Sequence, residues 1–483
     1  MTAQAVFRCD ASATLGGGHV MRCLAFAETL EWAGWSCVFT THKASLDAVP
    51  ALAQSPYALR MINGKEPMPD GEELVVVDHY DLNADYEKTL RANGRTIVVF
   101  DDLADRAHDC DVLLDPTPMR KVDAYYGRVP RDARLLVGSQ NAILFGRWRK
   151  QRAVTVKRLG TARPLQRILL SMGMTDPLNV TTRVIKALKA AGIDAAIDVV
   201  LGAGAPHQAQ VREALGRCMT LHIDPNNLAD LAARADLAIG APGTSSFERA
   251  LLGLPAVLIP VADNQRFIAD AFAADGAADV VPLALLDKPQ SFAAHIAALA
   301  QDGARRADMS QRAAAITDGR GVQRLLAAIS GSVTSRFGQA VTLRLAEPGD
   351  ESWLLNLQGQ EGTRRFARHP AIPSAAEHAA WFAGVLEDSE RLLMIVDVDG
   401  KPSGMVRLDK LPGGAVCFEI SIAIDGGRHG EGIGRAALSL VRNLAPAADL
   451  IATVNSTNEA SIALFLAAGF MPDGHERYRS RAA

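Results

Sequence analysis

Apolar and polar positions alternate along the first 115 residues in the way that a layered α/β domain requires. Short apolar runs end in polar or glycine-rich turns, and helical stretches follow them. The predicted strands are AVFRCD, WSCVFTT, ELVVVDHY and TIVVFDD, and HVMRCLAFAETLEWAG is a predicted helix that ends at Gly34. Two of these runs are almost continuously apolar, as in strands that are buried on both faces. We therefore expect a mainly parallel sheet.

A second α/β pattern begins at RILLSMGM, after a segment (119–165) that is richer in Arg and Lys. We predict that this segment ends the first lobe and connects it to the next. Further strands are predicted at AAIDVVLGAG, DLAIGAPG and PAVLIPV, and helices at NVTTRVIKALKAAG, NNLADLAARA and SSFERALLG. The first two-thirds of the chain thus reads as two Rossmann-like lobes in succession.

A third, mixed α/β pattern begins at VTLRLAEPGD, after an Ala-rich helical stretch (289–329) and the small-residue segment SGSVTSRFGQA. That segment is typical of a linker. We predict three domains at residues 1–155, 156–330 and 338–483. The total of 483 residues agrees with about 150 residues per domain.

Composition narrows the function classes. A net charge of −3 gives no electrostatic reason to expect nucleic acid or an anionic membrane as a partner. The N-terminus lacks the charged and apolar regions of a signal peptide, and the chain has no apolar run long enough for a membrane span, so we expect a cytoplasmic protein. Six dispersed cysteines, with no CxxC pair, predict reduced thiols rather than disulfides or zinc, and no metal-ligand pattern stands out.

The N-terminal glycine loop is the first candidate for chemistry. Gly16, Gly17 and Gly18 follow a predicted strand, and His19 opens the next helix. Glycines let backbone N–H groups approach an anion, and a helix N-terminus attracts negative charge. The same field disfavours an imidazolium and keeps His19 able to accept a proton. The alternative is a histidine that only completes a turn.

Other polar clusters follow predicted strands. Asp78, His79 and Tyr80 end one strand, and Asp101 and Asp102 end another, at the sheet edge where α/β proteins bind ligands. Each cluster could also be ordinary loop chemistry.

In the second lobe, Gly173 follows a strand, and the GAPGTSSFERALLG segment forms a small-residue loop before a helix. Glu248 in that helix suits the hydroxyls of a ribose, although Ser245 and Glu248 also have the spacing of a capping box.

Taken together, FRCDASATLGGGHVMRC, VVVDHY, FDD with CDVLLD, SMGMTD and GTSSFE…GLP…NQ resemble the UDP-sugar hydrolases of pseudaminic acid biosynthesis. Those enzymes have a GT-B-like fold and act on UDP-2,4-diacetamido-2,4,6-trideoxy-β-L-altropyranose. The resemblance covers residues 5 to 290 and implies cleavage of the anomeric C–O bond with inversion, His19 activating water and Asp78 orienting the sugar or the water. The implied substrate-binding residues of the first lobe are Gly16, Gly17, Gly18, Arg22, His79 and Tyr80. In the second lobe the resemblance implies Gly173, Thr244, Ser245 and Ser246 at the diphosphate, Glu248 at the ribose, and Asn264 and Gln265 at the nucleotide or the sugar. Gly17 stands where that family usually has a larger residue, which suggests a more flexible loop.

The C-terminal segment ISIAIDGGRHGEGIGRAALSLV places successive glycine N–H groups at a helix start, which suits a pyrophosphate. It is similar to the acetyl-CoA loop of GCN5-related acetyltransferases, and TVNSTNEASIALFLAAGF and EHAAWF add to the match over about residues 340–480. The implied acetyl-CoA-binding residues are Arg428, His429, Gly430, Glu431, Gly432, Ile433, Gly434, Arg435, Asn458 and Ser461.

One position departs from the acetyltransferase pattern. Phe465 replaces the tyrosine that usually protonates the CoA thiolate, so we expect either that Tyr478, Ser461 or water does so, or that acetyl transfer is slow. Glu419 is expected to receive the amine proton, unless it is a buried structural carboxylate.

The two resemblances fit one bifunctional enzyme that binds a UDP-sugar and acetyl-CoA, and that acetylates a 4-amino group before it hydrolyses the product. Two alternatives remain open. The N-terminal lobes could form a glycosyltransferase, and the C-terminal domain could act on another amine or only bind CoA.

Overall fold

The structure is a computed structural model that describes residues 3–12, 15–64, 73–91, 94–367 and 369–482. Three sheets follow one another along the chain. The predicted class, two Rossmann-like lobes followed by a smaller mixed α/β domain, is confirmed. Within the described ranges no helix is long and apolar enough to cross a membrane.

The first lobe is built on a seven-stranded parallel sheet. Its strands are β1 (Gln4–Cys9), β2 (Ser36–Thr41), β3 (Ala58–Met61), β4 (Leu74–Asp78), β5 (Thr96–Phe100), β6 (Val112–Asp115) and β7 (Arg134–Val137), and its helices are α1 (Gly18–Trp32), α2 (Ala44–Ala48), α3 (Pro50–Ala53) and α4 (Ala84–Leu90). The next helix, α5 (Gly146–Leu159), packs against helices of the second lobe. The strand order is β3-β2-β1-β4-β5-β6-β7, so the direction of winding reverses between β1 and β4. Cys9 lies opposite Asp78 in that pair, which brings the glycine loop beside the DHY turn.

The second lobe repeats this plan with six parallel strands. They are β8 (Arg167–Ser171), β9 (Ala196–Leu201), β10 (Met219–Ile223), β11 (Leu237–Gly240), β12 (Ala256–Leu258) and β13 (Ala278–Val280), and the helices are α6 (Val180–Ala190), α7 (Gln208–Ala214), α8 (Leu228–Arg234), α9 (Thr244–Leu251), α10 (Arg266–Ala274), α11 (Pro289–Gln301) and α12 (Gly303–Ile316). The following helix, α13 (Gly321–Ile329), packs against the first lobe and the third sheet. The order β10-β9-β8-β11-β12-β13 reverses between β8 and β11. Gly173 and the GAPGTSS loop follow these two strands.

The third sheet is mostly antiparallel. It contains β14 (Ser332–Thr334), β15 (Ala340–Leu345), β16 (Arg391–Val398), β17 (Lys401–Lys410), β18 (Cys417–Ile424), β19 (Asp449–Thr453), β20 (Met471–Pro472) and β21 (Arg477–Ser480), with α14 (Glu351–Gly359), α15 (Glu361–Arg364), α16 (Ala375–Glu387), α17 (Ile433–Leu444) and α18 (Glu459–Ala467). The order is β14-β15-β16-β17-β18-β19-β21-β20, and the neighbours β18 and β19 run parallel.

The first lobe and the third sheet share a packed interface at the end of α1. The Trp35 indole donates to the Leu444 carbonyl at 2.9 Å, and the Trp32 ring packs on Phe418 with centroids 4.7 Å apart. At Gly34, whose φ is +94°, a Cβ would lie 3.3 Å from the Ala447 carbonyl carbon, so the two backbones meet closely. The apolar core is therefore continuous between the two units.

One sequence-based expectation about connections was wrong. The predicted linker contains β14, which pairs with β15, because its Val and Thr residues complete the edge of the third sheet. The basic segment 119–165 contains β7, the last strand of the first sheet, and α5, which follows it along the chain. The patterns also missed β3, β10 and β13, which are short and lie at or near sheet edges, where a strand has less apolar surface to bury.

Candidate active site

The centre of the candidate site in the first lobe is a histidine–carboxylate pair. His19 is the second residue of α1, and Asp78 is the last residue of β4. The His19 Nδ1 and Asp78 Oδ1 atoms are 2.5 Å apart, and both side chains are buried. The β1–β4 register places these residues together across 59 positions of sequence.

Arg22 lies one helical turn after His19 and holds the same carboxylate. Its Nε donates to Asp78 Oδ2 at 2.5 Å, and an Nη donates to Oδ1 at 2.6 Å. Burial alone would raise the pKa of the Asp78 carboxyl, but attraction to Arg22 and His19 outweighs burial and brings that pKa well below its ordinary range. Asp78 is therefore a permanent anion at neutral pH. Arg22, expected to contact substrate, has a guanidinium that is buried and occupied by protein carboxylates.

The contact with Asp78 determines which nitrogen of His19 carries the proton. An ionised carboxylate only accepts hydrogen bonds, so Nδ1 donates to it, and in the neutral imidazole Nε2 is the nitrogen that carries the lone pair. An Arg22 Nη also lies 3.2 Å from Nδ1, but a guanidinium only donates, so the shorter carboxylate contact decides the tautomer. Nε2 is thus suited to accept a proton.

Tyr80 and His79 point in different directions. The Tyr80 ring meets the His19 ring edge-on, with centroids 4.6 Å apart, and its hydroxyl donates to Asp102 Oδ2 at 3.4 Å. His79, expected at the substrate, has both ring nitrogens engaged: Nε2 lies 3.1 Å from the Asp10 carboxylate, and Nδ1 accepts from the Asp81 N–H. The structure thus groups Tyr80 with His19 and separates His79 from it.

The glycine loop presses against the second lobe. A Cβ on Gly17 would lie 2.9 Å from Met174 Sδ, and a Cβ on Gly18 would lie 3.3 Å from Thr244 Oγ1. These distances join the loop of the first lobe to both predicted loops of the second. They also correct the expectation that Gly17 mainly adds flexibility, because its φ is −102° and the glycine instead makes room for a close approach.

The start of α9 differs from the predicted capping box. Gly243 is the N-cap residue, and the Ser246 Oγ accepts from its N–H at 3.3 Å, so Ser245 and Glu248 do not cap the helix. The Ser245 and Ser246 hydroxyls both accept from Arg249.

Glu248 is half-buried in the next turn of α9. Burial raises its pKa to about 7, against the attraction of Arg249 and Arg147. Gly173 has a φ of +100°, a conformation that glycine adopts without strain.

The remaining predicted residues of this lobe lie after β12. Asn264 is exposed, whereas the Gln265 side-chain oxygen accepts from the Val261 N–H at 2.9 Å. The sequence reasoning did not single out Arg120 and Phe267, which contact each other across the two lobes with the guanidinium carbon 5.6 Å from the ring centroid. Only the position of Phe267, two residues after Gln265, could have drawn attention to them.

The C-terminal loop has the geometry of an anion cradle. Gly432 adopts φ +81° as the N-cap of α17, which begins at Ile433, and Gly430 has φ +86°. Arg428 braces the loop by donating to Glu431 Oε2 at 2.7 Å and to the Ser403 hydroxyl at 2.7 Å. Backbone N–H groups, rather than this arginine, are therefore the donors that the loop presents at the helix start.

Other predicted residues surround this loop. The His429 Nε2 atom lies 3.1 Å from the Ile424 carbonyl oxygen, and Arg435 is exposed on α17. The Asn458 side chain accepts from the Ser461 N–H at 3.1 Å and caps α18. A Cβ on Gly434 would lie 3.0 Å from Leu464, so glycine permits α17 and α18 to pack closely.

Strands β18 and β19 separate beside the cradle. They pair only through residues 417–419 of β18, while β17 pairs with β18 as far as Ile424. Glu419 is the last paired residue, and its carboxylate accepts from the Thr453 hydroxyl at 3.0 Å. Tyr478 is half-buried on β21, opposite Ala452 of β19. Phe465 is buried, with its ring 5.0 Å from that of Phe470.

Two further observations concern possible metals and thiols. Within the described part of the chain, no group of three or more His, Cys, Asp or Glu side chains is arranged to hold a metal ion. All six cysteines are free thiols in the structure.

Comparison with protein families identifies the C-terminal unit. Residues 340–471 match the acetyltransferase (GNAT) domain family, so this part of the chain carries a GNAT domain.

The N-terminal region is similar to three known proteins. An uncharacterized protein of Methanocaldococcus jannaschii is 23% identical over 272 residues, 53% of this chain and 55% of its own. The UDP-2,4-diacetamido-2,4,6-trideoxy-beta-L-altropyranose hydrolase of Campylobacter jejuni is 29% identical over 145 residues, 29% of this chain and 51% of its own. The spore coat polysaccharide biosynthesis protein SpsG of Bacillus subtilis is 26% identical over 164 residues, 33% of this chain and 48% of its own. The chain spans about half the length of these relatives, and its N-terminal region resembles this hydrolase and SpsG family.

Proposed function

We propose that the two N-terminal lobes hydrolyse a UDP-linked diacetamido sugar, UDP-2,4-diacetamido-2,4,6-trideoxy-β-L-altropyranose, to UDP and free sugar with inversion at C1. The observation that carries this proposal is the His19–Asp78 pair, with 2.5 Å between Nδ1 and Oδ1, at the point where Gly18 meets Thr244 of the second lobe. A proton acceptor therefore stands at the junction of the two loops expected to hold a nucleotide diphosphate. The similarity to the Campylobacter hydrolase supports the choice of substrate.

In the proposed reaction, His19 Nε2 takes a proton from a water molecule. The water oxygen forms a bond to C1, the bond from C1 to the diphosphate oxygen breaks, and UDP leaves with the electron pair. Asp78 holds the imidazole in the required tautomer and faces the positive charge that forms on it, a role that Arg22 supports by orienting the carboxylate. UDP leaves readily as an anion, so the step needs no strong general acid.

We assign UDP binding to the start of α9 and the loops beside it. Thr244 and the backbone N–H groups of the first turn suit the diphosphate, as does the Gly173 loop after β8. Glu248, ionised, would accept hydrogen bonds from the ribose hydroxyls. Its pKa of about 7 implies that UDP affinity rises between pH 6 and 8, an effect that a Glu248→Gln variant should lack.

We propose that the GNAT domain transfers an acetyl group from acetyl-CoA to the 4-amino group of the precursor UDP-sugar. The cradle at residues 430–434 suits the pyrophosphate of CoA, and the gap between β18 and β19 leaves an open strand edge beside it. The amine nitrogen forms a bond to the acetyl carbon, the thioester C–S bond breaks, and Glu419 receives the amine proton directly or through water. Tyr478, Ser461 or water supplies the proton to the sulfur.

The two proposed reactions follow each other on one sugar. Acetylation produces the diacetamido sugar that the N-terminal lobes would then hydrolyse. A fused pair of domains therefore suits a bifunctional enzyme whose first product is its second substrate.

NMR of the purified protein with the UDP-4-amino sugar and acetyl-CoA tests both steps. We expect free diacetamido sugar and UDP from the wild type, and accumulation of acetylated UDP-sugar with His19→Ala. Unchanged hydrolysis by His19→Ala would contradict the assigned base. No acetylation by either protein would contradict the role of the GNAT domain.

A further inference from the structure

The two N-terminal lobes meet at a second point besides the glycine loop. Phe267, the second residue of α10 in the second lobe, lies under the guanidinium of Arg120 from the first lobe, at 5.6 Å. Phe267 remains 49% exposed, so this contact lies at the protein surface rather than in a core. A cation over an aromatic face is attractive even at an exposed site.

Arg120 is held firmly on the first lobe. Its Nε donates to Asp115 Oδ2 at 2.9 Å, and an Nη donates to the Asp102 carbonyl at 3.1 Å. The Asp115 side chain is fully buried. Arg120 is therefore held by the first lobe while its guanidinium faces the Phe267 ring of the second.

A chain of contacts leads from this pair to the proposed base. The Asp102 side chain accepts from Arg22 at 3.2 Å and from the Tyr80 hydroxyl at 3.4 Å, and the Tyr80 ring packs on His19. The other oxygen of Asp102, Oδ1, is buried and has no hydrogen-bond partner among the described residues. A buried carboxylate oxygen without a donor is costly, so a hydroxyl or amide group of a bound ligand would stabilise Asp102 by donating a hydrogen bond to Oδ1.

We propose that the Arg120–Phe267 contact closes the sugar side of the cleft, so that water reaches C1 while larger hydroxyl compounds are excluded. The inference rests on the proposed hydrolysis and adds the residues that make water the acceptor. An alcohol could replace water as the nucleophile in the same displacement. Its oxygen would form a bond to C1, its proton would pass to His19, and UDP would leave. Chemistry alone does not distinguish the two acceptors, so the distinction must come from access.

The test measures how the sugar is divided between water and an alcohol. Wild type, Phe267→Ala and Phe267→Trp are each incubated with the UDP-diacetamido sugar in buffer containing glycerol, and NMR quantifies free sugar against glyceryl glycoside. We expect Phe267→Ala to raise the glycoside-to-sugar ratio about 10-fold or more, because both the ring and its attraction to Arg120 are lost. Phe267→Trp should keep the wild-type ratio, since it restores a ring under the guanidinium.

Phe337→Ala provides the matched control, because it removes a ring that is 67% exposed in the C-terminal part of the chain. Its ratio should equal that of wild type. Equal ratios in Phe267→Ala and wild type, with hydrolysis retained, would overturn the inference and leave the proposed function standing. A wild type that releases no free sugar would instead overturn the proposed function and the inference with it.

Discussion

Replacing Asp78 with Asn tests the core of the proposed mechanism, because the change keeps the shape and removes the charge. Asp78 accepts three short hydrogen bonds, from His19 Nδ1 at 2.5 Å and from Arg22 at 2.5 and 2.6 Å. An amide offers one oxygen and must turn its NH₂ toward a donor, so either the tautomer of His19 or the Arg22 contact is lost. We expect the hydrolysis rate constant to fall by about 10² to 10⁴-fold, the usual value of a general base.

The same substitution should weaken the fold. Arg22 is buried, and its remaining carboxylate partner is Asp102 at 3.2 Å, so removing the Asp78 charge leaves a poorly compensated cation. Breaking a buried ion pair costs about 3–5 kcal/mol. Urea denaturation measures this loss. Acetyl transfer by the same protein sample shows whether the variant is folded when its hydrolysis is assayed.

A double-mutant cycle separates catalysis from stability. If Asp78 acts through His19, Asp78→Asn should slow the wild type strongly and slow His19→Ala hardly at all. Equal factors in both backgrounds would refute the reasoning, as would a rate within about threefold of wild type. Asp105→Asn is the matched control, because this exposed carboxylate pairs only with Arg106 in the described structure and should leave hydrolysis unchanged.

Three further outcomes follow from the contacts described above. Gly17→Ala places a methyl group 2.8 Å from Val49 Cγ2 and 2.9 Å from Met174 Sδ, so the loop or these side chains must shift, and we expect the KM for the UDP-sugar to rise in steady-state assays. Trp35→Phe leaves the buried Leu444 carbonyl without its 2.9 Å donor, and calorimetry should show a loss of about 1–3 kcal/mol in the stability that the first lobe and GNAT domain share. Although burial lowers the pKa of His108, the buried Asp101 carboxylate 3.8 Å from Nε2 and a hydrogen bond to the buried Glu87 carboxylate raise it to about 8. The stability that this histidine contributes is complete below its unfolded pKa of about 6.5 and is lost as the pH rises through 8, so unfolding at pH 6 and pH 9 should differ less in His108→Gln than in wild type.

Much of the fold could be predicted from the sequence, because short local patterns of apolar residues and glycines mark most strands and helix ends. Apolar runs such as VVV at 75–77 are long enough to mark buried strands, and glycine ends α1 through Gly34. The sequence pattern missed the edge strands because they bury little apolar surface. Strands β10 and β14 contain exposed or half-buried positions, so their sequences resemble loops. Their identity as strands comes from hydrogen bonds to β9 and β15, which no local pattern encodes.

The candidate site was only partly predictable. His19 and Asp78 follow strands at positions where α/β sheets bind ligands, so their candidacy could be derived from the chain. Their pairing could not, because it depends on β1 and β4 lying side by side in register across an intervening strand pair. The same holds for Arg22, whose partners are carboxylates 56 and 80 residues away.

Residue type and spacing therefore predicted candidate proton acceptors and candidate phosphate-binding loops, since those properties belong to the residues and their helix starts. Packing established what each group does with that capacity. It turned His79 toward Asp10, used Asn458 as a helix cap and brought Phe267 over to Arg120 from the other lobe. Side-chain direction and contacts between lobes depend on the whole tertiary arrangement, because each arises where elements distant in sequence compete for the same space.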